Sequence, residues 1–170
     1  MAAWEAVAHK MRVLSLDQAL KVSGVAIFED GRLLHKDTFS TKGSSPIEQR
    51  LGAIWQELSD LYYEWSFDYL VLEDCQQQKN AQTYQKLAMV KAAVILWCYF
   101  NDTKYSIYAP SHWRSLLNIK GRARAEQKEN AISFVKEKYD VEATSDEADA
   151  ICIGAAYYES LKTNNSSFVV

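Results

Sequence analysis

Asp17, Glu73, Asp146 and Asp149 each stand where a hydrophobic segment ends or begins. Asp17 closes Val13-Leu14-Ser15-Leu16, Glu73 closes Tyr69-Leu70-Val71-Leu72, and Asp146 and Asp149 open an apolar helix. Brought together, four carboxylates repel and raise one another's pKa, so a fold that keeps them ionised at one point needs cations to neutralise them. An all-oxygen donor set suits a hard ion, Mg2+ with Mn2+ as its substitute, rather than zinc, which takes His and Cys. The chemistry expected of such a site is metal-assisted hydrolysis of a phosphodiester.

The charge pattern points to the same substrate class. The net charge is −3, yet from Lys104 to Lys138 there are eight basic residues against three acidic ones, a local excess of five positive charges. A basic segment facing an acidic metal cluster is what a phosphodiester enzyme needs, because Lys and Arg hold the phosphates beside the scissile one. Lys136 and Lys138 also fit a solvated helix face.

The elements that must position these groups follow from pattern. Met11 to Asp17 reads as a buried strand, Gly24 to Phe28 as a second, and Leu33 to Ser40 as a third, with Glu29-Asp30-Gly31-Arg32 as the hairpin turn between the last two. Ser45-Pro46 starts a helix whose Ile47, Leu51, Ile54, Leu58, Leu61 and Trp65 share one face. Tyr69 to Glu73 is a fourth strand, Ala81 to Phe100 a long helix with an uncharged second half, and Tyr105 to Ala109 a fifth strand ended by Pro110. That long helix is expected either wholly in the core or shared between core and a dimer interface. Gly121-Arg122-Ala123-Arg124 forms a basic loop before a helix over Ala125 to Tyr139, and Thr144 and Glu147 have capping-box spacing at the start of the last helix. Asp146 and Asp149 then share a face of that helix. The expected fold is α/β, a mixed five-stranded sheet flanked by helices on both faces.

At 170 residues and 48% hydrophobic content, one domain is expected. We divide the chain into an N-terminal extension over 1–10, a nuclease domain over 11–162 and a C-terminal tail over 163–170, frayed from Thr163 to Ser167. No apolar run approaches the ~18 residues of a membrane span, and the N-terminus lacks signal-peptide features, so no membrane partner and an intracellular, cytoplasmic location are expected. Cys75, Cys98 and Cys152 are read as free thiols. No Gly-rich phosphate loop supports a P-loop or dinucleotide site.

Leu14-Ser15-Leu16-Asp17 followed by Ser23-Gly24-Val25-Ala26, then Leu70-Val71-Leu72-Glu73, Lys79-Asn80-Ala81 and Ser145-Asp146-Glu147-Ala148-Asp149-Ala150, resembles the RuvC family of Holliday junction resolvases, of the RNase H-like superfamily. The resemblance spans Met11 to Glu159 and allows a phage-type member, for which the location would be the host cytoplasm. It implies a Mg2+-dependent endonuclease acting as a homodimer on branched DNA, with two ions per active site held by Asp17, Glu73, Asp146 and Asp149, and products with 5′-phosphate ends. It also implies that Arg114 and Lys128 occupy places where resolvases have phosphate-engaging lysines, Lys128 being counted with the catalytic set. The other DNA-contacting residues expected are Gln76, Gln77, Gln78, Lys79, Asn80, Lys120, Arg122 and Arg124.

Two departures from the family pattern bear on specificity. Gln18-Ala19-Leu20 stands where resolvases commonly have Pro-Gly-Ser, and Asp74-Cys75-Gln76-Gln77-Gln78 stands where the family often places an aromatic wedge. Glutamines cannot stack as a ring does, so activity on forks and flaps beside Holliday junctions is expected. The competing readings are a RuvC-like RNA-processing nuclease and a non-catalytic junction-binding protein. An actin-like kinase would need a second duplicated domain.

Overall fold

The computed structural model describes residues 10–76 and 80–166, the side chains of 164–166 apart. Five strands form one sheet in the order β3-β2-β1-β4-β5, with β1 at Arg12–Asp17, β2 at Val22–Glu29, β3 at Arg32–Ser40, β4 at Tyr69–Glu73 and β5 at Lys104–Tyr108. β1, β2 and β3 are antiparallel neighbours, whereas β4 runs parallel to both β1 and β5. The β2–β3 turn is tight because Asp30 and Gly31 both adopt positive φ, 50° and 83°, the conformation that an Asp-Gly pair supplies.

Five helices cover the sheet: α1 over Ile47–Trp65, α2 over Ala81–Phe100, α3 over Pro110–Leu116, α4 over Arg124–Tyr139 and α5 over Ser145–Ser166. Side chains alternate across a strand, and β1 shows the consequence. Leu14 and Leu16 join the core beneath α1 and α2 with Ile54, Leu58, Val90, Val94 and Trp97. Val13 joins the opposite core with Trp113, Ala131, Val135, Ile151 and Cys152, from α3, α4 and α5. The expected mixed sheet with helices on both faces is therefore present. Cys98 and Cys152 are buried and Cys75 half-buried, all three free.

Two local differences from the sequence reading stand out. α3 begins at Pro110, where only a strand end was expected; with seven residues it is too short to display an amphipathic period. Helical backbone also continues through Ser166, where a frayed end was expected. Among the described residues no helix is long and apolar enough to cross a membrane.

Candidate active site

The alternation that sends Val13 toward α5 sends Ser15 and Asp17 there as well, and on β4 it does the same for Tyr69, Val71 and Glu73. Because β1 and β4 are parallel, in register from Val13 with Tyr69 to Leu16 with Leu72, both carboxylates emerge at the same end of the sheet. α5 then brings its first turns over that end. Ser15 Oγ donates to the Ala150 carbonyl at 2.7 Å, docking the helix on β1. Gly24, paired with Asp17 across the β1–β2 ladder, provides the room: a Cβ there would collide with the Asp146 carbonyl oxygen and lie 2.6 Å from its carbon. Thr144 and Glu147 close the expected capping box, at 2.7 and 3.3 Å, and Glu147 also pairs with Lys36 of β3 at 2.9 Å.

Asp17, Glu73, Asp146 and Asp149 thus line one cleft of about 440 Å³, together with Gln18, Asp74, Cys75, Gln76, Arg114, Arg124, Gln127 and Lys128 among others. Burial pushes the Asp17 carboxyl well above the usual carboxylate range, reinforced by Glu73, Asp149 and Asp146 and opposed by Lys128. Burial likewise raises Glu73, where a hydrogen bond from Trp113 works the other way, and raises Asp149 against the pull of Arg114 and Lys128. Trp113 Nε1 donates to Glu73 Oε1 at 2.8 Å, and Lys128 Nζ stands 3.1 Å from Ser145 Oγ and 3.9 Å from Asp146 Oδ1. Among the described residues, no three His, Cys, Asp or Glu side chains are close enough together to grip one ion as they stand.

The cleft's basic wall comes from two helices, α3 and α4. Arg114 on α3 lays its guanidinium over the Trp113 ring, 4.6 Å from the centroid, and Arg124 and Lys128 come from the first turns of α4. Gly121, with φ of 151°, lets Gln127 Nε2 reach its carbonyl at 3.0 Å, which folds the basic loop against α4. Lys120 and Arg122 are exposed on that loop and do not line the cleft.

The remaining expected contact residues are scattered in role. Gln76 is exposed at the cleft, whereas Asn80 caps α2, its side chain accepting from the Gln82 and Thr83 amides. Gln77, Gln78 and Lys79 lie outside the described residues. Asp74 lines the cleft but is paired with Lys91 at 2.7 Å. Lys136 and Lys138 face acids, Lys136 with Glu142 at 2.9 Å and Lys138 with Glu159 at 3.1 Å, as a solvated helix face would. Two residues at the site were not assigned to it from sequence. Trp113 is fully buried, but its indole N–H also orients an acid. Gln18 was noticed only as a departure from the family turn.

Comparison with known proteins agrees with this geometry. Residues 13–157 match the family described as crossover junction endodeoxyribonuclease RuvC. Curated members of that name include one from Thermomicrobium roseum, 26% identical over 88% of this chain and 93% of its own length. Another, from Akkermansia muciniphila, is 29% identical over 86% and 90%. Among solved structures, Thermus thermophilus RuvC in complex with a Holliday junction superposes with a TM-score of 0.75 at 18% identity, covering 90% of this chain and 96% of that one. The likeness identifies the fold as RNase H-like. With the match spanning both core layers, this chain belongs to the RuvC family of crossover junction endodeoxyribonucleases.

Proposed function

We propose that this protein is an endonuclease that cleaves Holliday junctions, and other branched DNA, by metal-dependent phosphodiester hydrolysis. The observation that carries the reading is the cleft itself: four acids from β1, β4 and α5 opposite Arg114, Arg124 and Lys128, in a chain of the RuvC family. The donor set fits hard divalent ions. It is almost wholly oxygen, Cys75 being the lone sulfur at the cleft, and the raised pKa of Asp17 marks a place where positive charge is wanted. Asp17, Glu73, Asp146 and Asp149 would hold two Mg2+ ions, with Mn2+ able to substitute. The metal supplies Lewis-acid stabilisation of the charge that develops on the phosphate oxygens.

The chain's own groups do the rest. Trp113 fixes one rotamer of Glu73, and Lys128 donates to Ser145 beside Asp146 while offering its other N–H groups to a phosphate. Arg114, stacked on Trp113, presents a rigid fork suited to a neighbouring phosphate. Arg124, Lys120, Arg122 and the Gln76–Lys79 segment extend the track along the DNA backbone. Hydrolysis leaves a 5′ phosphate and a 3′ hydroxyl.

The active form is a homodimer. On α2, Met89, Leu96, Tyr99 and Phe100 are 47, 51, 78 and 70% exposed, and with Gln85 and Ala92 they recur every three or four residues along one face. An apolar helical stripe of this kind is self-complementary across a two-fold axis, and a four-way junction has matching symmetry. A DNA substrate places the protein inside the cell. Residues 11–162 form the nuclease domain, and residues 1–10 and 163–170 are extensions to it.

A panel of end-labelled four-way junction, replication fork, flap, linear duplex and structured RNA tests the reading. Cutting of the branched DNAs with 5′-phosphate products supports it. Cutting of RNA alone, or binding without cutting in Mg2+ and Mn2+, overturns it.

A further inference from the structure

Gln18 follows Asp17 directly, yet the residue is only 7% exposed, an unusual degree of burial for a glutamine. Its Nε2 donates to the Glu73 carbonyl at 3.1 Å. That bond lies just beyond the last β1–β4 ladder pair, Leu16 with Leu72, and so ties together the two strand ends that carry Asp17 and Glu73. It also fixes which way the amide faces, because a group pointing at a carbonyl must be the NH2. Oε1 therefore points elsewhere, and it is buried without a hydrogen-bond partner in a side chain that lines the carboxylate cleft.

The segment behind Gln18 is pinned. Ser23 Oγ accepts from the Ala19 amide at 3.0 Å and donates to the Ala19 carbonyl at 3.2 Å. Thr41 Oγ1 donates to the Leu20 carbonyl at 2.6 Å while accepting from Arg50 Nε at 2.9 Å. Gln18 is thus held in place rather than free to turn toward solvent. A buried acceptor left unpaired is costly. A hydrated divalent cation brings both positive charge and O–H donors.

We propose that Gln18 is a positioning residue of the metal site: its amide N–H clips the ends of β1 and β4, and its Oε1 accepts from the hydration shell of the cation held by Asp17 and Glu73. The inference rests on the metal-dependent reading above. It assigns a role to a residue that replaces the family's turn proline, and that role concerns binding of the ion rather than the chemistry of the DNA.

The test is Mn2+ titration of the DNA-free protein, with free Mn2+ followed by electron paramagnetic resonance, for the wild type, Gln18→Met, Gln18→Glu and Gln18→Asn, each shown to be folded by circular dichroism. Met keeps the length and loses both polar functions, and its Mn2+ affinity is expected to fall by about tenfold or more. Glu keeps an oxygen at the site and is expected to recover most of the loss, although it can no longer donate to Glu73. Asn withdraws the amide by one methylene and follows Met, which keeps the test open if Gln18→Met does not fold. Wild-type affinity in Met or Asn, or equal weakness in Met and Glu, overturns the inference and leaves the metal reading standing. No Mn2+ binding by the wild type overturns both.

Discussion

The indole N–H of Trp113 donates to Glu73 Oε1 at 2.8 Å from a fully buried ring. One oxygen of Glu73 is thereby committed and the other left for the cleft. Trp113→Phe keeps most of the packing volume and removes only that donor. Loss of such an outer-shell hydrogen bond typically costs about 10–100-fold in metal affinity or activity, so junction cleavage is expected to fall by about that factor with the fold intact. The same bond lowers the Glu73 pKa against the effect of burial, so the acid limb of the cleavage pH profile should move upward in the variant. An unchanged rate and profile would show that the bond is packing alone.

Asp17, Glu73 and Asp149 all have folded-state pKa values above the ordinary carboxyl range, with burial the largest cause in each. Between that range, about 4, and the raised values, the folded chain holds protons that the unfolded chain has released. Metal-free stability therefore declines as pH rises through this window and stays reduced at neutral pH. Thermal melts in EDTA should show a higher Tm toward pH 5 than at pH 7. Asp17→Asn should raise the EDTA Tm at pH 7, by about 2–4 °C for each kcal/mol relieved, and blunt the stabilisation that Mg2+ gives the wild type. A Tm in EDTA that climbs with pH over this range would contradict the assignment.

Gly24 and Gly154 are both crowded, with different neighbours. A Cβ at Gly24 meets the Asp146 backbone and one at Gly154 meets Phe28 and Ser15 Oγ. Either alanine should destabilise by about 1–3 kcal/mol through overpacking, read as a lower denaturant midpoint. Gly24→Ala in addition pushes the start of α5 away from Asp17, so its cleavage rate per folded molecule should drop far more than that of Gly154→Ala. Equal activity in the two folded variants would show that α5 placement tolerates the shift.

Much of this site was legible in the chain because strands alternate. An acid two residues beyond an inward position, as Asp17 is beyond Ser15 and Glu73 beyond Val71, must share that face, and D-x-x-D on a helix must share one as well. The hairpin at Asp30-Gly31 and the capping box at Thr144 were readable for the same local reasons. What sequence could not show depends on long-range contact. The partners Trp113 and Glu73 lie 40 residues apart, on a helix too short to announce itself, and the burial of Gln18 depends on a β4 carbonyl. The departure from Pro-Gly-Ser was the one available signal for Gln18. The exposed half of α2 was seen as apolar, but only the packed fold separates Val90, Val94 and Trp97 from Met89, Leu96 and Tyr99.

That exposed half is where the dimer is expected. Leu96→Glu combined with Tyr99→Glu places charge on the stripe without touching a buried position. Sedimentation at micromolar concentration should turn from dimer to monomer, and paired incision of a junction should give way to single nicks. A double variant that still sediments as a dimer would move the interface elsewhere.

The most direct measurement is cleavage of an end-labelled four-way junction by the wild type and Asp149→Asn, in Mg2+, Mn2+ or EDTA, with binding followed in parallel. The account predicts cutting by the wild type with either metal and none in EDTA. Asp149→Asn should bind the junction as well as the wild type or better, since a negative charge beside phosphate is gone, and leave it uncut. Cutting by the wild type in EDTA, or by Asp149→Asn at the wild-type rate, would contradict it.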